Sequence, residues 1–90
     1  MSVIEKKIWP DYFDAVKSGE KTFELRTADF EIQPGDTLLL REWDPEIKQY
    51  TGRQIERKVG YIGKWKLEDL EKFYSKEDIE NYGLQVISLL

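Results

Sequence analysis

Runs of apolar residues, separated by turn residues, predict five strands along the chain. Residues 3–8 form the first, and residues 21–26 alternate between apolar and polar side chains, which is the two-residue period of a half-buried strand. Residues 37–43 have three consecutive leucines at their centre, which predicts a strand covered on both faces. A longer strand over residues 53–62 and an apolar strand over residues 84–90 complete the set.

Helix-forming signals lie between and after these strands. Trp9-Pro10-Asp11 predicts the start of a helix that ends at Gly19, because proline suits the first helical position and glycine the left-handed stop. Residues 67–74 predict a second, short helix. Ser75 begins a capping-box-like sequence, which predicts a third helix that ends at Gly83.

Turn residues and chain length complete the predicted fold. Gln33-Pro34-Gly35-Asp36 has the pattern of a type II turn, and Thr51-Gly52 marks a second turn. The element order is then β-α-β-β-β-α-α-β in 90 residues, which suits a single domain over residues 1–90. We therefore predict an α+β fold, a small mixed β-barrel of about five to six strands with short helices covering its ends.

The composition excludes several kinds of chemistry. The chain has no cysteine and no histidine, so disulfides, thiolate zinc sites, a cysteine nucleophile and a histidine general base are ruled out. No spacing resembles a calcium loop or a phosphate-binding glycine loop, and we expect neither a metal nor a cofactor. No apolar run is long enough for a membrane span, and the N-terminus lacks the apolar stretch of a signal peptide. We therefore expect a cytoplasmic protein without membrane contacts.

The charges are unevenly distributed along an acidic chain. A net charge of −4 argues against extensive double-stranded DNA binding, which needs a broad basic surface. Residues 48–66 nevertheless carry six cationic side chains and one carboxylate, whereas residues 67–82 carry two cations and six carboxylates. The basic segment suits a local contact to a nucleotide or to single-stranded RNA. The sequence does not distinguish which acidic residue of 68–80, if any, joins such a site.

Six short motifs follow one another along nearly the whole chain. They are Lys7–Phe13 (KIWPDYF), Gly19–Arg26 (GEKTFELR), Gln33–Asp36 (QPGD), Leu40–Pro45 (LREWDP), Tyr50–Arg53 (YTGR) and Gly83-Leu84. In order and spacing they resemble the ASCH domain of the PUA-like superfamily, and within it a small bacterial and phage branch. The resemblance implies a PUA-like β-barrel and either RNA binding or the handling of modified nucleosides.

The resemblance also implies an alternative, enzymatic function. One type of ASCH relative hydrolyses N4-acylated cytidine, and ribonuclease activity has been proposed for others. The chain is similar to the hydrolase type at Lys21 but has Glu24 where that type carries its threonine nucleophile. The alternative is therefore a small hydrolase acting on a modified nucleoside or on RNA. In it, Lys21 is the base or electrostatic stabiliser and Glu24 the acid or base.

Lys21, Glu24 and Arg26 form the first candidate binding cluster. Arg26 can hold a phosphate or carboxylate through two hydrogen bonds, and Lys21 can bind phosphate as a point charge. Glu24 can accept a hydrogen bond from an amino group on a base edge. The alternative for these residues is an ordinary salt-bridged strand face.

A second candidate group flanks the loop after the leucine-rich strand. Its members combine aromatic rings with guanidinium groups, as single-stranded nucleic-acid sites do; they are Arg41, Trp43, Tyr50 and Arg53. Alternatively, Trp43 and Tyr61 belong to the core, and Arg41 pairs with Glu42 or Asp44 at the surface. We predict an RNA- or nucleotide-binding domain with its cleft at Lys21, Glu24 and Arg26. A second alternative is a phage or mobile-element protein-interaction module.

Overall fold

A three-stranded sheet is the centre of the fold. In the computed structural model, which describes residues 1–90, the strands are β1 (Val3–Ile8), β2 (Thr37–Asp44) and β3 (Gln49–Lys58), with β2 in the middle. β1 runs parallel to β2, and β3 runs antiparallel to it. Parallel neighbours need a crossover connection, and helix α1 (Pro10–Ser18) with the irregular residues 19–36 provides it. The α+β class, the first strand and the first helix are confirmed.

Helix α1 packs its apolar side against one face of the sheet. Pro10 takes an initial helical position, and Gly19 ends the helix at φ 88° with its amide donating to the carbonyl of Val16. The spacing of Phe13 and Val16 places both on one side of the helix, where both are buried. The core formed in this way consists of Ile8, Phe13, Val16, Leu38 and Leu40.

Strand β2 has one buried face and one half-open face. The buried side chains share the face that helix α1 covers; they are Leu38, Leu40 and Glu42. The half-buried side chains lie on the opposite face; they are Leu39, Arg41 and Trp43. The prediction that this strand is covered on both faces is therefore wrong, because helix α1 packs on one face only.

Two of the five predicted strands are absent, so the sheet stays open rather than forming a barrel of five to six strands. Residues 21–26 are irregular: the Lys21 amide donates to the carbonyl of Ala15, and no backbone hydrogen bond joins these residues to a strand. Residues 84–90 make no backbone hydrogen bond to the sheet, and their apolar side chains are exposed. An apolar pattern is not sufficient for a strand without a neighbouring ladder to join.

Strand β3 begins and ends four residues earlier than the predicted strand over residues 53–62. The chain reverses before it, through a turn in which Lys48 has a φ of 54°. Thr51-Gly52 is therefore not a turn: it lies inside β3, where the register shifts opposite Glu42. Gly52 has a φ of 95°, a conformation that glycine adopts without strain and that suits a β-bulge.

The two helices after the sheet are short and have no buried residues. Helix α2 (Leu67–Leu70) covers only part of the predicted residues 67–74, because Phe73 and Tyr74 find no surface to pack against and stay exposed. Helix α3 (Lys76–Tyr82) begins and ends as predicted: the Ser75 hydroxyl accepts from the Asp78 amide, and Gly83 caps the end. No helix has the length and apolar character required to cross a membrane.

The predicted turn at Gln33–Asp36 is confirmed and holds the start of the chain. The Asp36 amide donates to the Gln33 carbonyl over 3.0 Å, and Gly35 has the positive φ of 94° that a type II turn requires. The buried Asp36 carboxylate accepts from the backbone amides of Ser2 and Gln33, each at 2.9 Å. These two bonds hold the pKa of Asp36 below its usual value.

Asp36 should make the protein less stable in acid. A carboxylate with a lowered folded-state pKa contributes stability above its unfolded pKa of about 3.9, and that stability is lost as the pH falls through the folded value. We expect the free energy of unfolding, measured by urea titration at several pH values, to fall below about pH 4. In Asp36→Asn, the slope of the free energy of unfolding against pH should be smaller over this range, by the equivalent of a fraction of one bound proton. An unchanged pH profile in the variant would contradict this role.

Candidate functional site

A cavity of about 460 Å³ opens on the sheet face that helix α1 covers. Its floor is apolar and includes Val16, Leu38 and Leu40. One wall comes from the irregular residues 19–32 and the other from residues 57–64, which continue from the end of β3. An apolar floor with a few polar groups at the rim is the usual composition of a small-molecule site.

Among the charged residues that line this cavity, cations outnumber carboxylates. Five line it, against a single carboxylate from Glu24; they are Lys21, Arg26, Arg57, Lys58 and Lys64. Three of them form no ion pair with a carboxylate, namely Arg57, Lys58 and Lys64. The cavity is therefore electropositive although the whole chain carries a net charge of −4.

The predicted cluster of Lys21, Glu24 and Arg26 exists and lies at the rim of the cavity. The Glu24 carboxylate bridges the two cations: one oxygen lies 2.8 Å from Lys21 Nζ, and the other lies 3.0 Å from Arg26 Nε. Lys21 and Glu24 are only 18% exposed at their side chains. The ion pairs of an ordinary salt-bridged surface are thus present. Because one carboxylate pairs with two cations, the cluster keeps one net positive charge at the rim.

A groove of about 750 Å³ continues from the same cluster, between residues 20–26 and the junction of β1 with helix α1. Lys21, Glu24 and Arg26 line both the cavity and the groove. On its other side the groove is lined by Lys7 at the end of β1, whose carbonyl accepts a hydrogen bond from Arg26. The cluster therefore forms the passage between the two concavities.

Three of the four residues of the second predicted group lie together on the half-open face of the sheet. The rings of Trp43 and Tyr50 meet edge to face with centroids 5.0 Å apart. The Arg41 guanidinium lies 3.9 Å from the Tyr50 centroid, and the Lys7 ammonium lies 3.8 Å from the Trp43 centroid. We call these four residues, Lys7, Arg41, Trp43 and Tyr50, the aromatic row.

Arg53, the fourth predicted member, lies on the opposite face and has a structural role. Tyr50 and Arg53 are three residues apart in one strand, so their side chains face opposite ways. Arg53 binds the buried Glu42 carboxylate through Nε at 2.9 Å and through a terminal nitrogen, which also donates to Asp14 at 3.0 Å. Its guanidinium stacks 4.5 Å above the Phe13 ring. The structure therefore shows Arg53 bonded inside the protein, away from the other three predicted residues.

Glu42 is the centre of this second network and not the surface partner of Arg41 that the alternative interpretation predicts, since Arg41 lies near Glu5. Glu42 is 3% exposed and also accepts from the Thr51 hydroxyl, which the β-bulge places opposite it together with Arg53. The hydrogen bonds from Arg53, and then the one from Thr51, hold the pKa of Glu42 below its usual value against the effect of burial. The sequence does contain one signal for the burial of Glu42: it follows Leu38 and Leu40 at intervals of two residues, which places it on the same face of the strand.

Four further cations were missed as site residues. Arg57, Lys58 and Lys64 lie in the basic segment, but only the fold shows that they line the cavity. Lys7 lies in a motif, but nothing in the sequence places it over Trp43. Trp65, another residue of the basic segment, packs its indole against Gly63, a lining residue of the cavity, but does not line the cavity itself.

Comparison with known proteins places the chain among phage-related sequences. It is 40% identical over 55 residues to the "Uncharacterized 12.9 kDa protein in GpA 3'region" of Escherichia phage P2. The match covers 61% of this chain and 49% of the phage protein, so it spans about half of that relative's length. Residues 3–75, which contain the sheet, helix α1 and all residues that line the cavity, match the family described as "Domain of unknown function (DUF3850)". The chain therefore belongs to the DUF3850 family.

Proposed function

We propose that this chain binds a nucleotide or single-stranded RNA in the cavity beside Lys21, Glu24 and Arg26. The observation that supports this most strongly is the combination of an apolar floor with five cationic residues and one carboxylate at the wall and rim. A nucleotide has the same two parts, a flat base that loses water easily and a phosphate that carries negative charge. A generally acidic surface keeps long duplexes away while this local site attracts one or a few phosphates.

The arrangement gives each part of the ligand a partner. Phe23 and Phe30 are half-buried in the cavity wall, where a base can stack. Arg57 and Lys64 have no carboxylate partner, so their charges can attract phosphate oxygens, although Arg57 also donates to the backbone carbonyls of Glu56 and Val16. Glu24 uses one oxygen for each neighbouring cation, and each oxygen keeps a further lone pair for a base amino group.

The resemblance to the ASCH domain supports the same ligand class. It rests on the motifs around Gly19–Arg26 and Leu40–Pro45, and these segments contribute Lys21, Glu24, Arg26 and Leu40 to the cavity. The hydrolase alternative requires Lys21 or Glu24 to exchange a proton with a substrate. Both groups are held in a bridged ion pair, so the geometry favours binding over turnover.

Removal of the unpaired cavity cations should weaken the binding of a short RNA. We expect Arg57→Ala and Lys64→Ala each to reduce affinity for a fluorescein-labelled uridine heptamer about fivefold, roughly 1 kcal/mol, in fluorescence anisotropy. Each variant should also lower the magnitude of the log Kd against log salt slope, about 2 in the wild type, by about 0.7.

Lys72→Ala is the matched control, because it removes the same charge from a lysine that pairs with Asp69 in the acidic segment. It should bind the heptamer as the wild type does. Equal losses in all three variants would show that only net charge matters. Tighter binding to duplex DNA than to the heptamer, or no binding to either, would overturn the proposed function.

A further inference from the structure

The aromatic row forms a second surface with the composition of a base-stacking site. It lies on the sheet face opposite the cavity, since Arg41 and Trp43 alternate with the cavity-floor residue Leu40 and the buried Glu42 along β2. Single-stranded nucleic acid is bound by aromatic rings and by guanidinium planes on which bases stack, with cations nearby for the phosphates. The row supplies all three elements from the three neighbouring strands of the sheet.

The cations of the row are available for ligand contacts. Lys7 forms no ion pair with a carboxylate, and Arg41 has only a long contact of 3.4 Å to Glu5. Tyr50 is 37% exposed, and the Arg41 side chain lying over it is 34% exposed. The stack of Tyr50 and Arg41 therefore ends in a group that solvent, or a base, can reach.

The groove connects the row to the cavity. Lys21 and Arg26 line the cavity and the groove, and Lys7 lines the groove while its ammonium lies over Trp43. The Arg26 guanidinium donates to the carbonyl of Lys7 and fixes this junction. Lys21, Arg26 and Lys7 thus lead from the cavity to the open sheet face, along a groove that Glu20 and Glu24 also line.

We infer that the ligand is a single-stranded RNA of several nucleotides, with one nucleotide in the cavity and a later base stacked on the Arg41–Tyr50 pair. This inference rests on the proposed function and adds a second subsite to it. The phosphates between the two subsites follow Lys21, Arg26 and Lys7 along the groove.

The test compares two probes, the labelled uridine heptamer and uridine 5′-monophosphate, which is too short to reach both subsites. Tyr50→Ala should weaken heptamer binding at least fivefold and leave monophosphate binding unchanged. Arg41→Lys keeps the charge but removes the planar group. We expect it to weaken heptamer binding about threefold with no change in the salt slope, which separates stacking from charge.

A fluorescence measurement detects the subsite directly. In Trp9→Phe/Trp65→Phe, Trp43 is the remaining tryptophan, and the heptamer should quench its emission while the monophosphate should not. Circular dichroism confirms that each variant is folded. Unchanged heptamer affinity in Arg41→Lys and Tyr50→Ala, with loss in Arg57→Ala, would overturn the second subsite and leave the proposed function standing. Failure of both probes to bind the wild type would overturn the proposed function, and the second subsite with it.

Discussion

Glu42→Ala should destabilise the protein by about 2 kcal/mol, which lowers the Tm of a domain of this size by roughly 8–16 °C. The substitution removes the carboxylate that Arg53 and Thr51 share and leaves their donors beside the Phe13 ring. The full cost of breaking a buried ion pair is not expected. Arg53 is 45% exposed, and water can replace part of what it loses. Thermal and urea unfolding measure the change.

Glu56→Ala is the control for this prediction. Glu56 is an exposed carboxylate in the same strand pair and forms no ion pair. Its removal should change stability by less than about 0.5 kcal/mol. Glu42→Gln keeps the volume of the side chain and should lie between the two. If Glu42→Ala were as stable as Glu56→Ala, the buried network around Glu42 would make no net contribution to the free energy of unfolding.

Lys21→Ala should separate binding from stability at the candidate site. Glu24 keeps its bond to Arg26 in the variant, so we expect the Tm to shift by no more than about 3 °C, well under 1 kcal/mol. Binding of the uridine heptamer should fall at least tenfold, roughly 1.4 kcal/mol, because Lys21 lines both the cavity and the groove. Anisotropy titration and differential scanning calorimetry measure the two quantities.

Lys17→Ala provides the matched comparison. Lys17 is exposed in the last turn of helix α1, forms no ion pair and lines neither concavity. The variant carries the same change of charge only four positions away, and it should bind as the wild type does. A folded Lys21→Ala protein with full affinity would remove Lys21 from the site. A strong loss of stability would instead indicate a structural ion pair.

Local sequence patterns predicted correctly those parts of the fold that depend on contacts between residues close together in the chain. Three such parts depend on residues only a few positions apart. They are the two ends of helix α1 at its proline and glycine, the turn at Gln33–Asp36 and the cap at Ser75. The alternation over residues 21–26 was misleading because no neighbouring strand pairs with this segment. No local signal reports that a partner strand is missing.

The residues of the candidate site show the same difference between contacts that are near and contacts that are distant in sequence. Lys21, Glu24 and Arg26 are close in sequence, and their contact was predictable. Arg53 could not be placed correctly, since the β-bulge at Gly52 aligns it with the buried Glu42. The contribution of Lys7 depends on the parallel pairing of β1 with β2, which brings together residues 34 positions apart.

That parallel pairing has a consequence for the order of folding. The β2–β3 hairpin closes between Asp44 and Gln49, whereas Val3 must find Thr37 across 34 positions. Loop-closure entropy makes the second event costlier by about 1.7 kcal/mol, so the hairpin has the advantage and β1 joins it later. Trp43 and Tyr50 are neighbours as soon as the hairpin exists. Lys7 joins them, and the groove acquires its second side, only when β1 docks.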